Sequence, residues 1–352
     1  MAESTAAVEH DGEIAGGIAP ELIAEERKAG LVGASPWQLA RRRLRRDRSA
    51  LAFGALFVVL VLACVAAPLW ANHVAHRSYD DQPGTGETVE VNGEQVEAVS
   101  IEGIPIGPTW RGEYFLGADS GGRDVMVRLL YGGRNSLIIG IGAALATTLM
   151  AIFFGLISGF FRGRLDTVIS GFMDIIWAFP VILLGVALGT ALALGGLKIG
   201  PLELTSSSLL LPALVIAFVY IPYLARPIRG EVMALREKEF VEAARAQGMS
   251  SLRIMFGEIL PNVASLLIVF FPLMVANAIL LEAALSFLGA GVQPPSPSWG
   301  TMIDEGVQRI ITAPHLAIVP GAMLVLTVLS LNIFGDGVRD AIDPRAKLRI
   351  DS

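Results

Sequence analysis

Residues 239–261 read EFVEAARAQGMSSLRIMFGEILP, a polar stretch that closes on Leu260-Pro261 and lies between two long apolar runs. A charged connector between runs of that length places the chain in a membrane, with the connector at one of its surfaces. Of the 352 residues, 53% are hydrophobic and the mean hydropathy is +0.59, whereas an average soluble domain is roughly 45–50% apolar. The excess falls in blocks. Six windows, near 49–71, 135–161, 167–195, 207–225, 263–290 and 314–334, stand out in the sequence. Each is long enough to cross a hydrocarbon layer of ~30 Å, which takes about 20 helical residues. The expected fold is an all-α membrane protein with six transmembrane helices.

Orientation follows from the basic residues, since Lys and Arg are retained on the cytoplasmic side. With the N-terminus inside, the segments 1–48, 162–166, 226–262 and 335–352 are also inside and hold 20 of the 27 Lys and Arg. The first outside segment, 72–134, carries ten Asp and Glu against five Arg. The opposite orientation would export RRRLRRDR, Arg41 to Arg48. Both termini are therefore expected in the cytoplasm. The single cysteine, Cys64, falls inside the first window, so no intramolecular disulfide can form. Basic residues ahead of an apolar run also suit a cleaved leader, but this run continues past Cys64 and five more windows follow. The net charge of −6 mixes the two membrane faces and supports nothing by itself.

Residues 1–34 are rich in Gly, Ala and Glu without sustained periodicity and read as a mobile cytoplasmic tail. Ser35-Pro36-Trp37-Gln38 has the composition of a helix start, with Ser as N-cap and Pro at the first helical position. Trp37, Ala40 and Leu44 share one face of that helix, with six arginines around them. Such a helix suits an anionic membrane surface, and the same arginines serve equally as a topology-setting cluster. The segment 35–71 is thus an interfacial basic helix followed by the first span. In the extracytoplasmic segment 72–134, Thr88–Val91, Asn92-Gly93 and Glu94–Val99 read as a short β-hairpin on a type I′ turn. The remaining spans form a five-helix core over 135–334, with the loop 226–262 within it, and 335–352 is a cytoplasmic C-terminal tail. Pro180, Pro212, Pro222, Pro272 and Pro320 interrupt the windows, as membrane bundles tolerate where neighbours re-satisfy the freed backbone.

Read as one helix, 231–248 (EVMALREKEFVEAARAQG) sets Phe240, Ala243, Ala244 and Gln247 on a narrow face, flanked by Glu239 and Glu242. Small side chains there admit the close approach of another surface, and a carboxylate can pair with an arginine on it. Gly248 fits the position just past a helix C-terminus. Ser250-Ser251 can start a second helix that ends at Leu260-Pro261. On amphipathicity alone a solvated connector explains the stretch better than a docking device does.

The sequence resembles the permease subunits of ATP-binding-cassette (ABC) importers, which share the pattern E-A-A, three residues, G, nine residues, I, any residue, L-P. Glu242-Ala243-Ala244, Gly248, Leu260 and Pro261 fit that spacing, while the Ile position is held by Glu258 with Ile259 one later. Within that family it is similar to the dipeptide and oligopeptide branch, which also includes nickel importers. The similarity covers FLGADSGGRDVMVRLLYGGRNSL (115–137), RLDTVISGFMD (164–174), EAALSFLGAGVQPPSPSWGTMIDEG (282–306) and LNIFGDGVRDAIDPR (331–345). The resemblance implies a type I ABC importer permease fold in the cell inner membrane. It also implies four partners: a second homologous permease, two cytoplasmic ABC ATPases that carry ATP and Mg, and an extracytoplasmic solute-binding protein that delivers the peptide. Glu239, Glu242, Ala243, Ala244, Gly248, Leu260 and Pro261 would then form the ATPase-coupling loop.

Other features fit a non-catalytic membrane subunit that binds no cofactor, metal or nucleic acid and contacts only lipid, solute and protein. The sequence contains no G-x-x-x-x-G-K-[ST] phosphate loop. His73 and His76 are an isolated pair rather than a metal site. Asp174 and Glu282 lie within apolar windows, where an ionisable side chain must face the bundle or a water-filled path. Each either lines that path or holds neighbouring helices together. A secondary transporter driven by an ion gradient would instead show inverted repeats, and neither half of this sequence mirrors the other.

Overall fold

A computed structural model describes residues 36–342, apart from Asn92, Gly196, Gly200, Pro201 and 205–207. The expected tail 1–34, the last residues 343–352 and the turn residue Asn92 thus lie outside the described residues. Helix α1 (Pro36–Leu44) forms where the basic amphipathic segment was expected, and Arg43 reaches the Ala341 carbonyl at 3.5 Å. Asp47 then caps α2 (Arg48–Val65), its carboxylate accepting the Ala50 N–H at 3.0 Å. A short α3 (Ala67–Trp70) and a π turn (Ala71–Ala75) complete the first apolar window.

The hairpin is present. Strands β1 (Thr88–Val91) and β2 (Glu94–Glu97) pair antiparallel, with Val91 opposite Glu94. Val89 and Val91 point to one side, as alternation along a strand requires, and are buried against Ala98, Tyr114 and Ala118. The hairpin is therefore anchored to the chain that leads into the next helix.

That helix, α4 (Val125–Phe161), has 37 residues and starts well before the expected window, giving a rod of about 55 Å at 1.5 Å per residue. The third window does not form one straight span. It divides into α5 (Gly163–Trp177) and α6 (Val181–Gly195), bent by 88°. Pro180 lies at the break; it offers no N–H and disfavours helical geometry at Phe179. Two further strands, β3 (Leu197–Ile199) and β4 (Leu202–Leu204), pair antiparallel beyond α6, and no sequence signal had marked them.

The rest of the chain is helical: α7 (Leu210–Arg236), α8 (Glu239–Ala246), α9 (Ser251–Ile254), a π turn (Met255–Ile259), α10 (Leu260–Phe287), α11 (Trp299–Val307) and α12 (His315–Ile342). Among the described residues five helical stretches are long and apolar enough to cross a membrane, and the bent pair makes a sixth. α4 and α7 form the tightest pair, α10 packs against both α4 and α12, and α2 lies on α12.

Two glycines one turn apart bring α4 and α7 together. A Cβ on Gly155 would sit 2.6 Å from Ile228 Cγ2, and one on Gly159 would sit 2.8 Å from the Arg229 carbonyl oxygen. Small residues four apart are how membrane helices make backbone-close contacts, because lipid gives no hydrophobic drive to association. Gly142, on the same helix, faces open space. Gly159→Leu should therefore cost about 1–3 kcal/mol by overpacking and lower the melting temperature in detergent. Gly142→Leu should leave it nearly unchanged.

Candidate functional site

The expected helix over 231–248 is broken at Glu237-Lys238. Lys238 is extended (φ −86, ψ 150) and caps α8, and its carbonyl accepts the Val241 and Glu242 N–H groups. The break turns α8 so that Val241 and Ala244 are buried with Val232, Ile254 and Ile259. An unbroken helix would carry them away from that cluster. The four-residue face expected here is accordingly divided: Ala244 points inward, whereas Phe240, Ala243 and Gln247 are exposed together with Glu239 and Glu242.

Gly248 ends α8 with φ +79, its N–H bonded to the Arg245 carbonyl, and Met249 N–H bonds back to Ala244. These two bonds define a Schellman close, which needs a residue tolerant of left-handed geometry. Ser250 starts α9 with extended backbone but without a side-chain cap.

The second helix does not stop at Leu260-Pro261. One continuous helical stretch runs from Ser251 to Phe287. It passes Pro261 after a π turn in which the Leu260 N–H bonds to Met255, five residues back. A π turn holds one residue more than an α turn. Ile259 is fully buried and Glu258 only partly, so the apolar contact falls one position later than the general pattern. Pro261 is exposed and Leu260 half-buried. Arg236 and Arg245 both lie over the Phe160 ring, at 5.8 and 5.9 Å, and Arg236 also donates to the Phe160 carbonyl. The loop is thereby fixed to the far end of α4.

The two carboxylates expected within apolar windows have different surroundings. Glu282, on α10, is fully buried. Its Oε1 accepts from Ser286 Oγ at 2.7 Å, and the Ser136 and Ser298 hydroxyls lie beside the carboxyl, although Oε2 makes no bond of full hydrogen-bond geometry. Each of these serines spends a lone pair on a backbone N–H: Ser286 on Val292, Ser298 on Thr301 and Ser136 on Trp299. Their hydroxyl protons are left to face the acid. Trp299 also donates its ring N–H to the Leu129 carbonyl at 3.1 Å. This arrangement brings α4, α10, the turn after α10 and α11 together around Glu282.

Asp174, on α5, is 68% exposed and pairs with Arg226 of α7 at 2.7 Å. The Arg226 guanidinium lies 4.6 Å over the Trp177 ring, which stacks on Tyr223. Nearer the loop end, Arg229 closes a two-bonded pair on Asp166 (2.6 and 2.7 Å). A cavity of about 460 Å³ opens beside Trp177 and Tyr223, between α5, α6, α7 and α10.

At the hairpin end lies a charge network that the sequence reading did not single out. Arg128, nearly buried, donates to both carboxylate oxygens of Glu305 on α11 (2.6 and 3.0 Å) and to Asp119. Arg123 bridges the same two acids at 2.7 and 2.8 Å. Two cations and two anions balance, which offsets the desolvation that burial imposes. Asp124 caps α4 and accepts the Tyr114 N–H at 2.8 Å, and burial raises its carboxyl above the usual aspartate range. The available signal was the paired acids and arginines of 119–128, which had been read only as part of a motif. Among the described residues no group of three or more His, Cys, Asp or Glu could hold a metal ion.

A multi-pass bundle with a charged, cavity-lined seam and an ordered polar loop at one end defines a membrane permease. A family model described as "Binding-protein-dependent transport system inner membrane component" matches residues 151–348, and one described as "N-terminal TM domain of oligopeptide transport permease C" matches residues 35–83. The chain belongs to this family of ABC importer permeases, whose members are non-catalytic membrane subunits. It is 34% identical over 313 residues to a glutathione transport system permease protein of Pectobacterium atrosepticum, covering 89% of this chain and 92% of the relative. It is 37% identical over 313 residues to a dipeptide transport system permease protein of Alkalihalophilus pseudofirmus, covering 89% and 91%. In fold it matches a solved structure of the MetNI methionine ABC transporter at 19% identity and a TM-score of 0.50, covering 62% of this chain and 98% of that one.

The serine-bound Glu282 yields a direct test. Ser286→Ala strands the Val292 N–H and removes a donor from Glu282, and should cost about 1–3 kcal/mol. Thermal unfolding of the purified protein should show this loss. Thr167→Ala, which deletes an exposed hydroxyl bonded within its own helix, should melt like the parent.

Proposed function

We propose that this chain is one of two membrane subunits of an ATP-driven importer of dipeptides and oligopeptides. The observation that carries the reading is its likeness, over 89% of its length, to permeases named for a dipeptide and for glutathione, itself a tripeptide. In the proposed assembly a second homologous permease completes the path, two ABC ATPases bind ATP and Mg on the cytoplasmic face, and an extracytoplasmic solute-binding protein delivers the peptide. Both termini and the 226–262 loop face the cytoplasm, as the excess of Lys and Arg in those segments supports. The hairpin segment faces outward.

In this reading α8 is the coupling helix. Glu239, Glu242 and Ala243 are exposed to an ATPase groove, while Ala244 faces the bundle. Gly248 sets the reversal, and Leu260-Pro261 carries the displacement into α10 without a helix break. Continuity from Ser251 to Phe287 supports transmission of force along one rod. ATP binding would close the ATPases, move both coupling helices and turn the permease pair from inward- to outward-facing. Asp174 lies on the path side, and Glu282 keeps the moving helix attached to α4 and α11.

The test is reconstitution of the full complex in proteoliposomes. Peptide uptake should require ATP and be blocked by vanadate. Glu242→Arg should reduce both ATPase co-purification and uptake by tenfold or more. Uptake driven by an ion gradient without ATP would sink the proposal, and uptake of nickel in place of peptide would overturn the solute assignment.

A further inference from the structure

Resting on the peptide reading above, we propose that the cavity beside Trp177 and Tyr223 holds a short peptide in transit. Arg226 receives its terminal carboxylate and Asp174 its terminal ammonium.

The first support is exposure. Asp174 and Arg226 have side chains 68% and 41% exposed, the first on α5, one arm of the bent pair that is long enough to cross a membrane only when both arms are taken together, and the second toward the loop end of α7. Arg226 opens the loop 226–262 placed at the cytoplasmic face, and an ion pair at that inner end cannot lie against acyl chains without a large penalty. It must meet water or another polar surface. The second support is the contrast between neighbouring pairs. Arg229 grips Asp166 with two parallel bonds, a closed arrangement, whereas Arg226 gives Asp174 a single bond from one nitrogen. The remaining donors of Arg226 and the second oxygen of Asp174 are available to a ligand. A zwitterion satisfies both, replacing one ion pair with two and leaving the local charge unchanged.

The third support is the cavity itself. At about 460 Å³ it lies in the range of small-ligand sites. Its walls include Trp177, Tyr220, Tyr223, Asn277, Leu280 and Ala284. Flat rings and aliphatic groups accept many side chains by contact, with little that selects one. Specificity would then rest on what all short peptides share, namely the two charged termini. Arg226 is three residues past Tyr223 toward the loop end of α7 and lies 4.6 Å over the Trp177 ring, so the ion pair sits just behind the cavity wall on that side.

Two measurements on the full complex in proteoliposomes test this. In the first, uptake of a free dipeptide is compared with uptake of its C-terminally amidated form at saturating binding protein. Arg226→Gln should lower the rate for the free acid about tenfold while changing the amidated form little. In the second, Leu280→Cys is exposed to a charged, water-soluble thiol reagent. The native Cys64 is buried and gives a low background. Leu280→Cys should react, whereas Leu149→Cys, at an exposed apolar position of α4 outside the cavity wall, should not.

Equal loss of both peptide forms overturns the site while leaving the peptide reading intact. An unreactive Leu280→Cys, or loss of the second permease from purified Arg226→Gln complex, shows that this face is buried between subunits and overturns it likewise. A parent complex that carries neither peptide form overturns the peptide reading, and the site assignment with it.

Discussion

A carboxyl group with no countercharge, sealed in a helical bundle, is costly unless its environment supplies donors. Glu282 obtains one from Ser286, with the Ser136 and Ser298 hydroxyls of two other parts of the chain beside it. Each of those serines is fixed in turn by a backbone N–H that it caps. The acid sits where the turn after α10, the N-terminus of α11 and α4 converge, each marked by a serine that holds a backbone N–H, while the Trp299 ring is tied to α4 by its bond to the Leu129 carbonyl. The Arg128–Glu305 network then secures α11 from its other side. One end of the molecule is locked by two polar clusters that share α4 and α11.

The other end is organised by close contact. Gly155 and Gly159 admit α7 against α4, Phe160 receives Arg236 and Arg245, and Val241 and Ala244 seat the loop helix. α4 is the common member at both ends. Since it spans roughly 55 Å as a single helix, the two ends are connected by a rod rather than by a chain of flexible contacts. The seam of α5 and α7 is different in kind, with its ion pair and aromatic rings exposed along a bent span. The rigid parts and the open part of the subunit are thus held on different helices.

Much of this was legible in the residues. Apolar windows located the spans, the Thr88–Glu97 alternation located the hairpin, and Gly248 located the loop reversal. What was lost was anything set by non-local contact. Pro180 was noted, yet an 88° bend and a local wobble look alike until packing chooses between them. The break at Lys238 arises because Val241 and Ala244 find a buried cluster, which no propensity at 237–238 announces. Passage through Pro261 depends on a π turn, and π geometry has no composition of its own. GLISG at 155–159 was readable as a small-residue contact motif and went unremarked. Asp174 and Glu282 were both recognisable as polar intruders in apolar windows. Only the folded chain separates them, one buried among serines and the other an exposed half of an ion pair.

The π turn at Met255–Ile259 also bears on how this loop may be exchanged with those of relatives. A residue removed there would close the π turn to an ordinary α turn and leave the helices on either side in nearly the same orientation, whereas a residue removed from the α-helical part of α10 would rotate everything before it by about 100°. Only in the second case would Val241 and Ala244 leave their seat. A loop one residue shorter can therefore present the same face, provided the residue is lost at this turn. Junctions for exchange belong outside 250–261, so that the turn is carried whole.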